Sequence, residues 1–434
     1  MRLLRTQGRG AKQAGAKLAE LERRGGAALD TVLPAVRKIL ARIRRDGDAA
    51  LFRCARKFDN LPKDAFLQVT PEETAAAWQQ LDPALQQALE TAAANIRAFA
   101  ERQLPQNWQF SPVDGLSTGH LVRAIDSVGC YVPGGRHPLP STMLMTVVPA
   151  QVAGVRRIVV ASPRPASETL ATAHLLGVTE FYRIGGAHAV AAMAYGTESI
   201  PRVAKIVGPG NLYVTAAKRE VAFECAIDML AGPTEIVVTS DLGKPKHIAG
   251  DLIAQAEHDP EALAIFVTTS EPLALAVIQE TRRLSARNSV AKQAVSQNGY
   301  VFLASSAEEA RQITNRLAPE HLTVDSAEDL AWIQNAGSVF VGQHSPQPLG
   351  DYISGPNHTL PTGGMATVRG GLSVMDFVKL ITVQEYSAVG LGALGRYAIC
   401  LAEAEGLTGH AEAIRSRMES ENQVPAKTGK RGGL

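Results

Sequence analysis

Sulfur is scarce in this sequence. Its 434 residues hold four cysteines, Cys54, Cys130, Cys225 and Cys400, and no two of them form a C-x-x-C pair. That spacing argues against a cysteine zinc site, a dithiol redox motif or a disulfide framework. No apolar run approaches the roughly 18–20 residues needed to cross a bilayer. The first residues, MRLLRTQGRGAKQ, lack the apolar core of a secretion signal. Excess charge is missing too: 44 Lys and Arg against 42 Asp and Glu leave +2, part of it in Lys427, Lys430 and Arg431. A nearly neutral body offers no dedicated nucleic-acid or acidic-membrane surface. The zincin signature H-E-x-x-H is also absent. These absences leave a cytoplasmic enzyme or binding protein acting on a small molecule, with no nucleic-acid and no membrane partner.

What is present is ordinary globular material, 45% hydrophobic and 20% charged, so wholesale disorder is excluded. At roughly 150 residues per domain the length suggests about three domains. Residues 15–105 read as helix, with apolar positions three and four apart in 31–45 and 72–102. Pro71 and Pro83 stand where helices start. Strand-like pieces follow from 115 to 135. An α/β rhythm then runs from RIVVA at 157–161 to SVFV at 338–341, breaking near 225–240. Apolar strands alternating with helices imply parallel sheets covered on both faces. The expected fold is therefore α/β, with a mainly helical N-terminal region (1–120) and doubly wound blocks at 121–235 and 236–345. A loop and helical tail (346–418) and a disordered end (419–434) complete the expected domain plan. Gly390, Gly392 and Gly395 match G-x-G-x-x-G, but too little chain follows to complete a βαβ unit, so close helix packing explains them better.

Four clusters after residue 250 carry candidate chemistry. Gln255 and His258, one turn apart near a helix end, span a distance that suits two metal ligands, although such pairs also serve as surface or capping pairs. Glu320 and His321 follow Pro319 at a helix-to-strand junction, where adjacent side chains diverge and address different atoms. Asp351, Asn357 and His358 crowd a Gly/Pro loop, and Glu405 and His410 flank Gly406 and Gly409 at a helix end. An N/O ligand set without sulfur suits an accessible zinc ion, and manganese or cobalt as well. Upstream, Tyr131 beside Pro133-Gly134-Gly135, Gly185-Gly186-Ala187-His188, and Gly208-Pro209-Gly210-Asn211 each sit where a nucleotide phosphate could meet backbone N–H groups. Tight helix–strand packing would account for each equally well.

Taken in order, YVPGG, LMTVVPAQVAGV, GPGN-x-YV, AGPTE, DLIAQAEHD, APEHL, GDYISGPNHTLPTGG, VQEYS and EGLTGH resemble the histidinol dehydrogenase family over about residues 20–418. The resemblance implies two incomplete Rossmann-like domains and a homodimer whose segment holding Glu405 and His410 reaches into the partner's site. It implies one zinc ion per subunit, on Gln255, His258, Asp351 and His410. It places proton transfer on Glu320 and His321, and NAD near Tyr131, His188 and Asn211. Substrate contacts would fall on Thr234, Gln255, His258, His321, Asp351, His358, Glu405 and His410. The implied reaction is the oxidation of L-histidinol through L-histidinal to L-histidine with two NAD. His188 stands where the family usually has Gln, and Thr234 where it usually has Ser; Thr keeps the hydroxyl. A sister dehydrogenase for another small amino alcohol or diol, a zinc hydrolase, and a non-catalytic binding relative are the alternatives.

Overall fold

The computed structural model describes residues 1–25, 29–134 and 138–422; Gly135 and the end of the chain from 423 lie outside the described residues. Two compact units emerge, a larger one of Met1–Leu104 with Ile125–Phe377 and a smaller one of Pro105–Ala124 with the chain from Val378 onward. In chain order the strands are β1 (Arg2–Arg5), β2 (Trp108–Val113), β3 (Leu116–Ala124), β4 (Ser127–Tyr131), β5 (Arg157–Ala161), β6 (Glu180–Tyr182), β7 (Lys205–Val207), β8 (Ala226–Ile227), β9 (Glu235–Thr239), β10 (Leu263–Thr268), β11 (Gly299–Leu303), β12 (His321–Val324), β13 (Ser338–Val341) and β14 (Val378–Tyr386).

The larger unit holds two parallel sheets. The first is ordered β6-β5-β4-β7-β8 and the second β1-β11-β10-β9-β12-β13. Their central strands are buried on both faces, as the unbroken run LAIFVT of β10 requires. Each sheet winds outward on one side and then returns to the other side of its starting strand. The return lies between β4 and β7 in the first sheet and between β9 and β12 in the second. Such reversals open a crevice at the carboxyl ends of the strands. In the first sheet Tyr131 and the turn Gly208–Asn211 flank that crevice. In the second, the Asp325 carboxylate accepts bonds from Ser240 Oγ, Asp241 N and Leu242 N and ties the loop after β9 down.

The N-terminal region is not only helical. Its first residues form β1, which pairs in parallel with β11 from Arg2↔Tyr300 to Arg5↔Leu303. Four residues with an arginine at each end carry almost no period-two signal, and charged ends suit an edge strand. The helix Leu29–Phe58 places Leu33, Val36, Leu40 and Ile43 in the same core as Val190 and Met193 of the helix Gly186–Tyr195, beside the first sheet. Pro71 and Pro83 open their helices as expected. Thr70 and Glu73 add a reciprocal capping box, and the Asp82 side chain caps Ala84 and Leu85.

The smaller unit is an antiparallel sheet, β14-β3-β2, with helices Ala388–Ala404 and Thr408–Asn422. Residues 378–386, expected within a helical tail, are a strand instead. VKLITVQEY carries β-branched residues, and it pairs with β3 along its whole length, from Val378↔Ala124 to Tyr386↔Leu116. The last helix also continues through 419–422, where disorder was expected. Two glycines of the G-x-G-x-x-G match, Gly390 and Gly395, are close-packed, while Gly392 faces open space. A Cβ on Gly390 would strike the Gly115 carbonyl at 2.1 Å, and one on Gly395 would meet Met418 Sδ at 2.8 Å. Among the described residues no helix is long and apolar enough to cross a membrane.

Candidate active site

The candidate chemistry gathers at the amino ends of β9 and β12, away from the tied-down loop. The helix Ala307–Leu317 stops at Ala318, which takes a left-handed φ of 43°, and Pro319 then feeds Glu320 and His321 into β12. Both side chains are buried, and each is held by the backbone of Glu235. The Glu235 N–H donates to Glu320 Oε2 at 2.8 Å, and the Glu235 carbonyl lies 3.2 Å from His321 Nδ1. A carbonyl only accepts, so Nδ1 carries the proton and Nε2 of the neutral ring keeps a lone pair. That Nε2 faces Asp351 Oδ1 at 3.5 Å.

Thr234 Oγ1 donates to Glu320 Oε2 at 2.6 Å, and Gln255 Nε2 donates in turn to Thr234 Oγ1. Gln255, Thr234 and Glu320 thus form one chain of bonds in which every proton has a direction. Its far end is Gln255 Oε1, buried and without a hydrogen-bond partner. Asp351 lies in a short helix, Pro348–Tyr352, where an irregular loop was expected. Gln347 Nε2 donates to Asp351 Oδ2 at 2.7 Å, and His358 Nδ1 donates to the Asp351 carbonyl at 2.8 Å. His358 Nε2 meets Thr142 Oγ1 at 3.3 Å. His321, Asp351 and His358 open together onto a cleft of about 360 Å³ that Phe340, Leu349 and Leu360 also line.

Electrostatics separates the roles of these groups. Burial pushes Glu320 up to about 7, against the opposing pull of His321, the Thr234 hydroxyl and the Glu235 N–H. Burial opposes charge on His321, yet Glu320 and Asp351 outweigh it and hold the imidazole above its ordinary value. Asp351 stays below the usual carboxylate range because His321, His358 and Gln347 overcome its burial. Burial keeps His358 below the usual imidazole range. One carboxyl is therefore poised near neutrality and the other is firmly ionised.

A stability measurement checks this reading. Glu320 takes its proton at about 7 in the folded chain and at about 4.5 when unfolded, so between those values the fold holds the extra proton. Its contribution to stability is complete below about 4.5 and is lost as the pH rises through about 7. Glu320→Gln has no charge to bury. In metal-free protein its melting temperature relative to wild type is expected to climb from pH 4.5 to pH 7 and then level off. A flat difference across that window would refute the raised carboxyl.

The remaining expected residues are placed differently. His258 lies beyond the helix Pro245–Ala256 rather than on its last turn, and it is exposed, although its charge is felt at His358. Glu405 and His410 belong to the smaller unit and are exposed. Glu405 ends the helix Ala388–Ala404, and Gly406 follows at a φ of +74°, the cap its position suggested. Gln255 Oε1, an orphaned buried oxygen, together with the carboxylate of Asp351, fits a cation. Among the described residues no three His, Cys, Asp or Glu side chains form a metal-holding group.

At the first sheet's crevice, Tyr131 Oη accepts from Gly186 N at 3.0 Å, and Asp59 Oδ2 accepts from Gly185 N at 3.0 Å and from His188 Nε2 at 2.6 Å. Asn211 Oδ1 caps the helix Leu212–Val221, and Gly208 N donates to Asp228. The N–H groups of Gly185, Gly186 and Gly208 are thus bound within the protein. Tight packing is equally real: a Cβ on Gly185 would strike Pro163, and one on Gly208 would strike the Tyr131 carbonyl. Sequence reasoning missed Glu235, Gln347, Thr142 and Asp59. The four-residue spacing of Gln347 and Asp351 was the one available signal, and it required reading that segment as helix.

The family model for histidinol dehydrogenase matches residues 22–418. A histidinol dehydrogenase of Geobacillus kaustophilus is 47% identical over 397 residues, covering 89% of this chain and 93% of that protein. One from Methanothermobacter thermautotrophicus is 45% identical over 415 residues, covering 93% and 97%. The crystal structure of histidinol dehydrogenase from Elizabethkingia anophelis matches with a TM-score of 0.92 at 34% identity, over 98% of this chain and 99% of that one.

Proposed function

Because this chain belongs to the histidinol dehydrogenase family, NAD-dependent oxidoreductases of the last step of histidine biosynthesis, we propose that its buried Glu320–His321 centre converts L-histidinol to L-histidine. The observation that carries this reading is the pair of bonds from the Glu235 backbone, which leaves His321 Nε2 as a base and Glu320 with one uncommitted oxygen. His321 Nε2 takes the proton of the substrate hydroxyl as the carbinol C–H leaves as hydride, and the imidazolium formed is stabilised by Asp351. Glu320 Oε2 already holds two donors, so Oε1 accepts a proton from the water that adds to L-histidinal. His321 then assists the second oxidation. In total one alcohol and one water give a carboxylate, two hydrides and three protons.

Bound NAD would supply the hydride acceptor, and a bound zinc ion would supply a Lewis-acid anchor that orients the substrate. Gln255, His258 and Asp351 would hold the zinc ion with His410 supplied across a homodimer, and Glu405 and His358 would contact the substrate. The dimer is supported by apolar side chains left exposed in the smaller unit. Val389, Tyr397 and Leu401 lie at multiples of four on one face of the helix Ala388–Ala404, and Leu380 and Ile381 are exposed on β14. NAD would occupy the β4–β7 crevice near Tyr131 and Asn211. His188, with Nε2 committed to Asp59, offers Nδ1 as an acceptor. Four free cysteines, two of them buried, suit a reducing cytoplasm.

The test is NADH production by the purified zinc-loaded protein over a panel of small amino alcohols and diols. L-Histidinol should give two NADH per molecule. Faster turnover of another alcohol would reassign the substrate, and no NADH from any member would overturn the reading.

A further inference from the structure

Glu235 lies next to the site in sequence, yet its side chain points away to a separate buried ion pair. Its carboxylate meets Arg24 in a two-pronged bond, Nε to Oε1 at 2.6 Å and Nη2 to Oε2 at 2.7 Å. The side chains are 15% and 4% exposed, so the pair is largely removed from water. Arg24 also donates to the carbonyls of Leu21 and Leu317. Gly363 N donates to Glu235 Oε1 at 2.9 Å. One guanidinium therefore joins the end of the helix Ala11–Glu22, the last carbonyl before the Ala318-Pro319 turn, and the first residue of β9.

These are the segments that set the catalytic geometry. The Leu317–Pro319 turn delivers Glu320 and His321, and the Glu235 peptide groups bond to both. A planar guanidinium with five donors matches a carboxylate in one orientation, whereas an ammonium does not. We propose that Arg24 and Glu235 are positioning residues that hold the Glu235 backbone where it orients the Glu320 carboxyl and selects the Nδ1–H tautomer of His321. Neither side chain lines the cleft. The proposal rests on the assignment of Glu320 and His321 as the proton-transfer groups.

Arg24→Lys keeps the charge and loses the fork, and Glu235→Gln keeps the shape and loses the charge. With zinc-loaded full-length enzyme, each is expected to lower kcat for L-histidinol by about 10- to 100-fold, the scale of a small misplacement of reacting groups. KM for L-histidinol and for NAD should stay within about twofold, and zinc content should not change. Because Arg24 acts through Glu320, Glu320→Gln should cost less in the Arg24→Lys background than in wild type. Folded variants whose kcat lies within threefold of wild type would overturn the proposal, as would effects that simply multiply with Glu320→Gln. Loss of folded protein in both variants, with kcat per folded molecule unchanged, would make the pair a fold anchor and overturn it too. If Glu320→Gln and His321→Asn themselves keep wild-type turnover, the catalytic assignment fails instead, so the two failures are distinguishable.

Discussion

Replacing His321 with asparagine is expected to lower kcat for L-histidinol by roughly 10²–10⁴-fold, the usual cost of losing a general base. Asparagine is an informative choice here. Its side-chain amide can still donate to the Glu235 carbonyl in place of Nδ1–H, so the bond that seats the residue survives. What disappears is the Nε2 lone pair beside Asp351. The change should therefore leave the melting temperature near that of wild type, with KM little altered, because a base acts in the transition state rather than in binding. Steady-state kinetics over a pH series reads the result. Turnover within tenfold of wild type at neutral pH would remove His321 from the proton path.

The second large effect is expected at Gln255. Its Oε1 is buried with no partner while Nε2 is committed to Thr234, so the amide has one possible orientation and one idle acceptor. A buried acceptor left idle costs on the order of 1–3 kcal/mol, and a cation would satisfy it. Gln255→Leu removes that oxygen at similar volume. Zinc retained after dialysis against a buffered zinc solution should fall at least on the order of tenfold, measured by elemental analysis, and His258→Ala should act in the same direction. Unchanged metal content in both would take them out of the ligand set. Gln255→Leu also deprives Thr234 of its donor, so a fall in kcat larger than the zinc deficit explains would show the Gln255–Thr234–Glu320 chain acting on the carboxyl as well.

Both effects concern residues that local sequence made visible for different reasons. Glu320 and His321 stood out because Pro319 marks a helix-to-strand junction, a feature fully encoded within a few residues. Gln255 stood out by its spacing to His258, although the helix ends between them and the two differ sharply in exposure. The α/β rhythm was legible for the same local reason: strands buried on both faces must be continuously apolar. Where burial is one-sided or the strand is short, that signal fades. β14 was misread within a helical tail and β1 went unnoticed, because each becomes a strand only by pairing with a distant partner, β3 and β11 respectively.

By itself the sequence determined the alternation of elements and the helix starts at Pro71 and Pro83, and it singled out Glu320 and His321 as candidates for moving protons. Only the tertiary structure decided which of those groups share a cavity, which tautomer His321 adopts and which carboxyl is held near neutrality. Those properties depend on a backbone carbonyl 86 positions away and on removal from water. Neither distance across the fold nor burial is written in any short stretch of chain. The Arg24–Glu235 pair illustrates the limit: two residues 211 apart meet because the helix Ala11–Glu22 packs against the helix Ala307–Leu317, which leads into β12 beside β9, and no local pattern encodes that meeting.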